Sequence, residues 1–394
     1  MTRRGGAGGD AREPRSLRRY QPDQVRRVLL SLDDDVGTPR VANRSVVAPA
    51  ILAGRSLDAI RRRPDDARMT EASATRPTLD DVRAAARRIE PFVHRTPIAR
   101  CAAIDDLAGT EVHLKCENLQ KVGAFKARGA MNAVLLLDDD TAARGVVTHS
   151  SGNHAQALAW AARTRGIPAH IVMPTNAPAV KRRAVEGYGG VVHDCEPTLA
   201  SRLETCDRIA RETGGSIVPP YDDDRIIAGQ GTLALELVGQ VPHLEAVIVP
   251  VGGGGMISGV ATVVKALASQ VRVLGAEPAL ADDAARSKAA GAIQPHHGDP
   301  TATIADGLRT TLGERTFPII RDLVDEIVTV DETAIRAALR LVLERAKLVI
   351  EPSAAVGVAV AIDPAFRTRG HRTIGVVLCG GNLDLAALPD LLGD

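Results

Sequence analysis

Aromatic residues are scarce in this chain, whose 394 residues include one Trp, three Tyr and four Phe. A hydrophobic core must therefore be built from Val, Ile, Leu and Ala. The chain also lacks any apolar run near the roughly 20 residues that a membrane-spanning helix needs. Its five cysteines are odd in number and have no C-x-x-C spacing, which indicates neither a disulfide framework nor a zinc site.

An excess of one charge is absent too, because 49 Lys and Arg balance 48 Asp and Glu and leave a net charge of +1. This balance argues against a nucleic acid as partner, for which a concentrated basic face is expected. The sequence therefore predicts a protein of the reducing cytoplasm that binds neither nucleic acid nor membrane.

Residues 1–76 differ in composition from the rest of the chain, since Arg, Gly, Asp and Pro dominate them. Such a segment buries too little apolar surface to fold, and we predict a disordered extension. Its aspartates argue against a transit peptide. An alternative is that Met69 is the true first residue.

From Thr78, a predicted helix N-cap, short β-branched runs alternate with helical patterns. This alternation predicts an α/β fold with open, twisted, mostly parallel sheets that are covered by helices on both faces. The length suggests two domains with the active site in the cleft between them. The candidate strands are 111–117, 145–149, 170–173, 191–194, 217–219, 246–251, 271–276, 326–330 and 373–378.

Ligands of open α/β sheets bind beyond the carboxyl ends of the strands, where four loops of this chain carry candidate chemistry. In the first loop, a strand leads through Gly123 to a helix that begins at Lys126. Burial of a lysine in such a place lowers its pKa, so that the amine becomes a nucleophile towards an aldehyde. The alternative is a solvated surface lysine.

The second loop sets polar side chains beside helix N-terminal amides, which suits a carboxylate, although Ser and Asn are also ordinary caps. Its residues are Ser150, Ser151, Asn153 and His154. The third loop exposes backbone N–H groups ahead of a helix and can hold a phosphate without Lys or Arg. Its residues are Gly252, Gly253, Gly254 and Gly255. In the fourth loop, the Cys379 thiol either faces a ligand or is simply buried.

Together these stretches resemble the fold-type II pyridoxal 5'-phosphate (PLP) enzymes, which have the tryptophan synthase β-like fold. The stretches are Gly-Ala-Phe-Lys-Ala-Arg-Gly-Ala at 123–130, Ser-Ser-Gly-Asn-His-Ala-Gln at 150–156, Val-Gly-Gly-Gly-Gly-Met at 251–256 and Cys-Gly-Gly-Asn at 379–382. Within that group the chain is similar to the serine/threonine dehydratases, and most similar to their serine racemase and threo-3-hydroxyaspartate dehydratase branch. The likeness runs from about Thr78 to Leu388. It implies a large PLP-binding domain of 77–140 and 223–394, a small domain of 141–222, and a homodimer.

The resemblance implies a role for each motif residue at the cofactor. Lys126 would bind PLP covalently and move protons at the substrate Cα, and the four glycines would bind the phosphate. Phe125 would lie by the pyridine ring, Asn153 would hydrogen-bond the ring hydroxyl, and Cys379 would meet the ring nitrogen. A neutral partner at that nitrogen stabilises a carbanion weakly, which favours expulsion of a β-leaving group.

The resemblance also implies how an amino-acid substrate binds. The residues around its carboxylate would be Ser150, Ser151, Asn153 and His154. In the racemase branch, the residue that Ser151 matches faces Cα from the side opposite the lysine. Arg202 and Thr310 match positions near the distal group of the substrate, where an arginine can pair with the second carboxylate of hydroxyaspartate. From the residues alone, Arg202 could equally be a solvated arginine on a helix surface.

A divalent-cation site is implied as well. Glu277, the carbonyl of Ala281 and Asp283 match its oxygen ligands, which suit Mg²⁺, or else Ca²⁺ or Mn²⁺. From the residues alone, these acids are interpreted as the negative charges of a helix N-terminus, and it is the resemblance that favours the metal.

Three departures from the family pattern narrow the expectations. Ala124 stands where many threonine dehydratases have Ser or Thr, and the hydroxyaspartate and racemase branch shares this alanine. Pro220 and Tyr221 match poorly the stretch where animal racemases bind a nucleotide, which puts nucleotide activation in doubt. Since the sequence ends soon after Asn382, we expect no isoleucine-binding regulatory domain.

The resulting hypothesis is an ammonia-lyase that converts L-serine, L-threonine or threo-3-hydroxyaspartate to a 2-oxo acid and ammonia. A serine racemase would use the same residues with Ser151 as a second base. A β-replacing synthase is disfavoured, because its second loop normally reads Thr-Gly-Asn-Thr. An inactive cofactor-binding protein is disfavoured because Lys126, Ser151 and Asn153 are all present.

Overall fold

The computed structural model of the protein describes residues 76–177 and 179–393. The predicted disordered extension, residues 1–76, lies outside the described residues apart from Arg76, and so does the alternative start at Met69.

Helix α1 (Leu79–Ile89) opens the described fold and confirms Thr78 as its N-cap. The Asp81 N–H donates to Thr78 Oγ1 at 3.3 Å, and the Thr78 N–H donates to the Asp81 carboxylate at 2.8 Å. This reciprocal pair is a capping box, which satisfies two backbone donors that the first helical turn would otherwise leave free. The helix buries Val82, Ala85 and Ile89.

The described residues contain ten strands in two sheets. They are β1 (Ile98–Ala99), β2 (Glu111–Lys115), β3 (Val146–His149), β4 (Ala169–Pro174), β5 (Val191–Cys195), β6 (Ser216–Ile217), β7 (Ala246–Pro250), β8 (Arg272–Pro278), β9 (Glu326–Val330) and β10 (Thr373–Val377). The six-stranded sheet has the order β1-β2-β10-β7-β8-β9, and the four-stranded sheet has the order β5-β4-β3-β6. Every neighbouring pair is parallel except β1 and β2.

Helices follow most strands. After α1 they are α2 (Ala102–Ala108), α3 (Lys126–Leu135), α4 (Asp139–Ala143), α5 (Asn153–Arg165), α6 (Ala179–Gly187), α7 (Leu199–Thr213), α8 (Asp224–Gln240), α9 (Gly255–Leu267), α10 (Asp283–Ala290), α11 (Thr316–Leu323), α12 (Glu332–Leu341), α13 (Pro352–Ile362), α14 (Pro364–Arg367) and α15 (Leu388–Leu392). A short π-helical turn, Val342–Ala346, extends α12.

The predicted α/β fold with mostly parallel sheets is confirmed. Each of the nine predicted strands overlaps an observed one. Strands that are buried on both faces appear in the sequence as continuous β-branched runs. All five residues of β7 are buried, for example. The antiparallel edge strand β1 was not predicted, since its two residues are too few to form a pattern.

The core is aliphatic, as the scarcity of aromatic residues requires. Helices α9 and α13 are apolar on nearly all sides and are buried over most of their length, as is typical of helices that pack between a sheet and other helices. Strands β3–β6 fall within 141–222 and the other strands outside it. The division into a large and a small domain stays a prediction. Among the described helices, none combines the length and the apolar character that a membrane span requires.

Candidate active site

Three of the four predicted loops start from adjacent strands of the six-stranded sheet. Strand β10 lies between β2 and β7, and all three are parallel, so their carboxyl ends share one edge. The Phe125 N–H donates to the Cys379 carbonyl at 3.0 Å, and the Gly381 N–H donates to the Gly123 carbonyl at 2.9 Å. These bonds join the loop ahead of Lys126 directly to the loop that follows β10.

Lys126 is the first residue of α3 and is partly buried. Its Nζ donates to the Pro220 carbonyl at 2.6 Å and lies 5.1 Å from the centre of the Phe125 ring. Burial lowers the pKa of Lys126 to about 8, although Cys379 and Glu351 oppose the shift. None of the described carboxylates is within ion-pairing distance of this amine. A substantial fraction of Lys126 is therefore neutral and nucleophilic near physiological pH.

The glycine loop follows β7 and ends at the N-terminus of α9. In the part of the chain that the structure describes, the N–H groups of Gly252, Gly253 and Gly254 have no hydrogen-bond acceptor. A Cβ on Gly253 would lie 2.4 Å from the ring of Tyr221, and Gly254 has a φ of +90°. Only glycine fits at these two positions, and unbonded N–H groups at a helix N-terminus suit an anion. The loop thus fits the phosphate group of PLP.

Asn153, in the second loop, is the first residue of α5 and reaches the end of β10. Its Nδ2 is 3.0 Å from both carboxylate oxygens of Glu351, and its Oδ1 accepts from Asn382 Nδ2 at 2.9 Å. The fourth loop therefore touches both the first and the second loop. The structure brings together Asn153 and Cys379, which the sequence predicts at the cofactor, around the carboxylate of Glu351.

His154 is buried beside this cluster. Its Nε2 lies 3.0 Å from the Val218 carbonyl, and its Nδ1 has no hydrogen-bond partner among the described residues. Burial, followed by the charge of Lys126, lowers the pKa of His154 to about 3, so the ring is neutral. Ser150 Oγ accepts from the Gly152 N–H at 3.3 Å, and Ser151 is partly buried in the same loop. The predicted contacts of these side chains with a substrate carboxylate stay predictions.

Arg202 lies on α7, close to the carboxyl end of β3. Burial, and then the nearby charge of Arg202, lower the pKa of His149 at that strand end. The Arg202 Nε is buried, and the described residues offer it no hydrogen-bond partner. Thr310 is exposed, and its Oγ1 would be 3.2 Å from a Cβ on Gly252, so it borders the glycine loop. The structure therefore places Arg202 near the second loop and Thr310 near the third.

Glu351 is a site residue that the sequence analysis missed. It precedes α13, is 4% exposed, and lies with its Oε1 3.9 Å from the Cys379 Sγ. Burial raises its pKa to about 7, although hydrogen bonds from the Asn153 side chain and the Asn382 N–H lower it. The available signal was a single carboxylate within the apolar run Leu-Val-Ile-Glu-Pro-Ser-Ala-Ala-Val at 348–356.

The candidate cation ligands form a separate cluster. The Glu277 carboxylate accepts from the backbone N–H groups of Ala284 and Ala285, each at 2.9 Å. Asp283 Oδ1 is buried, 3.3 Å from His296 Nδ1, and has no hydrogen bond within the described chain. Burial raises the pKa of Glu277 to about 8 and that of Asp283 to about 6.

Two buried carboxylates with an unbonded oxygen are a donor set that fits a divalent cation. No group of three or more His, Cys, Asp or Glu side chains in the described ranges is arranged for a metal. A cation at this place would therefore need main-chain or water oxygens as well, and the buried Ala281 lies between the two acids in sequence.

Comparisons with known proteins agree with this geometry. The family model described as "Pyridoxal-phosphate dependent enzyme" matches residues 89–380. A serine racemase of Arabidopsis thaliana is 50% identical over 307 residues, which cover 77% of this chain and 92% of that protein. A beta-hydroxyaspartate dehydratase of Paracoccus denitrificans is 48% identical over 313 residues, or 79% and 98% of the two chains. The structure of maize serine racemase superposes with a TM-score of 0.78 at 47% identity and covers 80% of this chain and 97% of that one.

These relatives belong to the branch that the four motifs resemble, and the predicted fold-type II architecture is confirmed. The family model spans the Lys126 loop, the second loop, the glycine loop and Cys379. This chain belongs to the family of fold-type II pyridoxal-phosphate dependent enzymes.

Proposed function

We propose that the protein is an ammonia-lyase that eliminates water from a β-hydroxy amino acid, after which addition of water to the released enamine yields a 2-oxo acid and ammonia. The observation that carries this proposal is the partly buried Lys126 amine, which has no carboxylate partner among the described residues and has a pKa of about 8. Such an amine can accept a proton from the substrate Cα near neutral pH. Bound PLP would supply an electron sink for the electrons that this proton leaves behind.

The glycine loop, Asn153 and Cys379 would hold the cofactor, and Cys379 would keep the group beside its ring nitrogen uncharged. The N–H groups of Gly252–Gly255 would bind the phosphate, and Asn153 would donate to the ring hydroxyl. Burial raises the pKa of Cys379 well above its ordinary value, so a neutral thiol would face the ring nitrogen. A neutral partner there leaves the developing carbanion weakly stabilised, which favours loss of the β-hydroxyl group over a long-lived anion.

The unbonded Arg202 Nε favours a substrate with a second carboxylate. A buried arginine Nε without a partner among the described residues suits a carboxylate ligand, because bidentate pairing with a carboxylate satisfies such donors. We therefore propose threo-3-hydroxyaspartate as the preferred substrate, and L-serine and L-threonine as poorer ones. The relative from Paracoccus denitrificans carries the name of such a dehydratase.

The test is the release of 2-oxo acid by the cofactor-loaded protein from L-serine, L-threonine and L-threo-3-hydroxyaspartate. Lys126→Ala should abolish release from all three. Arg202→Met should lower kcat/KM for hydroxyaspartate about 10–100-fold, the value of one lost charge-assisted interaction, and leave serine nearly unchanged. Arg211→Met, an exposed arginine of the same helix, is the matched control. A preference of the native enzyme for threonine over hydroxyaspartate would contradict the role of Arg202.

A serine racemase is the second candidate, because the Arabidopsis thaliana and maize relatives carry that name. Racemisation needs bases on both faces of Cα, and Ser151 would be the second base. D-serine that forms faster than pyruvate in the serine reaction would make this the main activity. In that case Ser151→Ala should abolish D-serine formation and spare pyruvate release.

We further propose that Glu277, the Ala281 carbonyl and Asp283 hold Mg²⁺ or a similar hard cation. The support is the burial of both carboxylates and the unbonded Asp283 oxygen. The homodimer and the cytoplasmic location stay predictions from the sequence.

A further inference from the structure

The side-chain amide of Asn153 is held between two partners of opposite hydrogen-bonding character. Asn382 Nδ2 donates to its Oδ1 at 2.9 Å, and its own Nδ2 faces the Glu351 carboxylate at 3.0 Å. Above about pH 7 the Glu351 carboxylate is ionised and can only accept, and an amide nitrogen can only donate. The reversed amide would therefore set oxygen against carboxylate and nitrogen against nitrogen. One orientation of Asn153 is strongly preferred as a result.

The Asn153 amide could reverse only if the Asn382 amide also flipped. The Val122 carbonyl prevents that flip. The same Nδ2 of Asn382 donates to the Val122 carbonyl at 2.7 Å. Because a main-chain carbonyl can only accept, the Asn382 amide must present its nitrogen there. Its two hydrogens then serve Val122 and Asn153 together.

The Val122 carbonyl is itself fixed by an unusual backbone conformation. Val122 has φ 54° and ψ 13°, in the left-handed region that β-branched residues rarely adopt. Such a conformation persists only where surrounding contacts impose it. The contacts here are the Asn382 bond and the bond from the Gly381 N–H to the Gly123 carbonyl. The turn ahead of Lys126 thus determines the orientation of an amide in the second loop.

Glu351 is fixed equally firmly. Its N–H donates to the Gly380 carbonyl at 3.0 Å, and a Cβ on Gly380 would lie 2.6 Å from its Oε1. The Asn382 N–H also lowers the pKa of this carboxyl group. The carboxylate that faces Asn153 is therefore held by the same loop that holds Asn382.

We propose that Glu351 and Asn382 are positioning residues that together fix the Asn153 amide with its oxygen towards Asn382 and its nitrogen towards Glu351. Asn153 then offers a ligand its remaining Nδ2 hydrogen and never its carbonyl oxygen. The cofactor end of this inference rests on the proposed contact of Asn153 with the PLP ring hydroxyl, whose phenolate form needs a donor. The orientation itself does not depend on that contact.

Nuclear magnetic resonance of the holoenzyme tests the orientation directly. The Asn153 side-chain amide is assigned by its absence in Asn153→Ala. The native protein should show one resolved pair of amide protons that exchange slowly with solvent. In Glu351→Gln, which can donate as well as accept, and in Asn382→Ala, the pair should broaden or exchange faster. If the pair of amide-proton signals were unchanged in both variants, the proposal would be overturned, regardless of any change in the spectrum or affinity of bound PLP.

The matched control is Asn118→Ala. Asn118 Nδ2 donates to the Val349 carbonyl at 3.0 Å, so it is a buried amide that bonds the segment ahead of Glu351 without contacting Asn153. Asn118→Ala should leave the Asn153 amide signals as they are in the native protein. Loss of the same signals in this control would show that any damage to the region has this effect, and would also overturn the proposal.

A double-mutant cycle tests the consequence for the cofactor. Glu351→Gln and Asn382→Ala should each change the visible spectrum of bound PLP in the same direction as Asn153→Ala, and each should weaken PLP binding by up to about tenfold. In the Asn153→Ala background neither should add more than about twofold, because both act through Asn153. Full additivity would show that they act independently of it.

The two proposals can fail separately. If Asn153→Ala leaves the PLP spectrum and affinity unchanged while the amide signals respond as expected, the proposed cofactor contact is wrong and the positioning of Asn153 stands. If Asn153→Ala changes the spectrum but the other two variants alter neither the spectrum nor the amide, the contact stands and the positioning is wrong.

Discussion

Two groups of buried charged side chains in this protein differ in whether they are compensated. In one, the Arg128 guanidinium bonds Glu117 at 2.8 Å and Glu236 at 2.7 Å, and Lys115 Nζ bonds Glu236 at 2.6 Å. Burial alone would raise the pKa of Glu117, but Arg128 brings it below its ordinary value. In the other, Glu351 has no cation within ion-pairing distance in the described chain, and its pKa rises to about 7.

The presence or absence of an ion-pair partner distinguishes buried charges that support the fold from buried charges at the predicted sites. The compensated network satisfies its own charges and joins β2, α3 and α8, so it needs nothing from outside the protein. The carboxylates of Glu351, Glu277 and Asp283 accept hydrogen bonds but have no Lys or Arg ion-pair partner among the described residues, so their ionised forms remain costly. Strongly perturbed groups of this kind cluster at functional sites. In this protein they lie at the predicted cofactor and cation sites.

The two buried lysines repeat the same contrast and give the prediction with the largest effect. Lys115 is fully buried and bonded to Glu236, Gln240 and the Thr96 carbonyl, whereas Lys126 bonds one main-chain carbonyl. Reduction of the holoenzyme with borohydride, followed by peptide mapping, should therefore label Lys126 almost completely and Lys115 not at all. Label on another lysine would contradict the assignment of the cofactor-binding amine.

The next largest effect should come from breaking the compensated network. Arg128→Met leaves Glu117 buried without its partner and should lower the free energy of unfolding by about 3–5 kcal/mol in urea denaturation. Arg208→Met removes an exposed ion pair with Glu212 and should cost about 0–1 kcal/mol. Arg128→Met combined with Glu117→Met should recover part of the loss, because no unpaired charge remains on Glu117. If Arg128→Met lowered the free energy of unfolding as little as Arg208→Met does, the buried network would not stabilise the fold as proposed.

A smaller effect should follow from compensating the carboxylates of the cation cluster. Mg²⁺ at about 100 times its Kd should raise the free energy of unfolding by about 2.7 kcal/mol, seen as a higher Tm that chelation reverses. Glu277→Gln and Asp283→Asn should abolish this rise. Asp282→Asn changes the neighbouring acid, which pairs with Arg286, and should preserve it. Equal stabilisation of all three variants would exclude Glu277 and Asp283 as ligands.

The sequence predicted the elements of the site better than the contacts between them. Buried parallel strands leave continuous β-branched runs, and the four loops carry glycine and serine motifs, so both were visible without a structure. Glu351 was missed because its partner Asn153 lies 198 residues away in the chain. The same holds for Lys115 and Glu236, which are 121 residues apart. Patterns of local sequence cannot show which distant side chains meet.

The roles of individual residues were predicted from family motifs and not from contacts. Asn382 stood inside a recognised motif, yet nothing in the sequence connects its amide with Val122 or Asn153. Similarly, Arg202 could be a surface arginine from sequence alone, and only its buried, unbonded Nε distinguishes it from the exposed arginines of α7. Burial and hydrogen-bond satisfaction are properties of the folded chain.

The smallest predicted effect is on the free energy of unfolding, which should depend on pH because of Glu351. Its carboxyl group holds a proton up to about pH 7 in the native state but releases it near pH 4.5 when unfolded. Between these values the native protein binds more protons, so the free energy of unfolding falls as the pH rises through the window. Glu351→Gln removes this fall. Near pH 5 the variant should match the native protein, and above pH 8 it should be more stable by about 1–2 kcal/mol, since it also loses charge-assisted hydrogen bonds.

Urea denaturation across this pH range measures the difference, with exposed Glu344→Gln as a control that should change stability by less than about 0.5 kcal/mol throughout. A variant that is less stable than the native protein at pH 8 would mean that the ionised carboxylate is favourable where it lies. In that case its hydrogen bonds from Asn153 and Asn382 compensate it as fully as Arg128 compensates Glu117. Greater stability together with a misoriented Asn153 would show the opposite: Glu351 is retained at a cost to the fold because it positions a residue of the site.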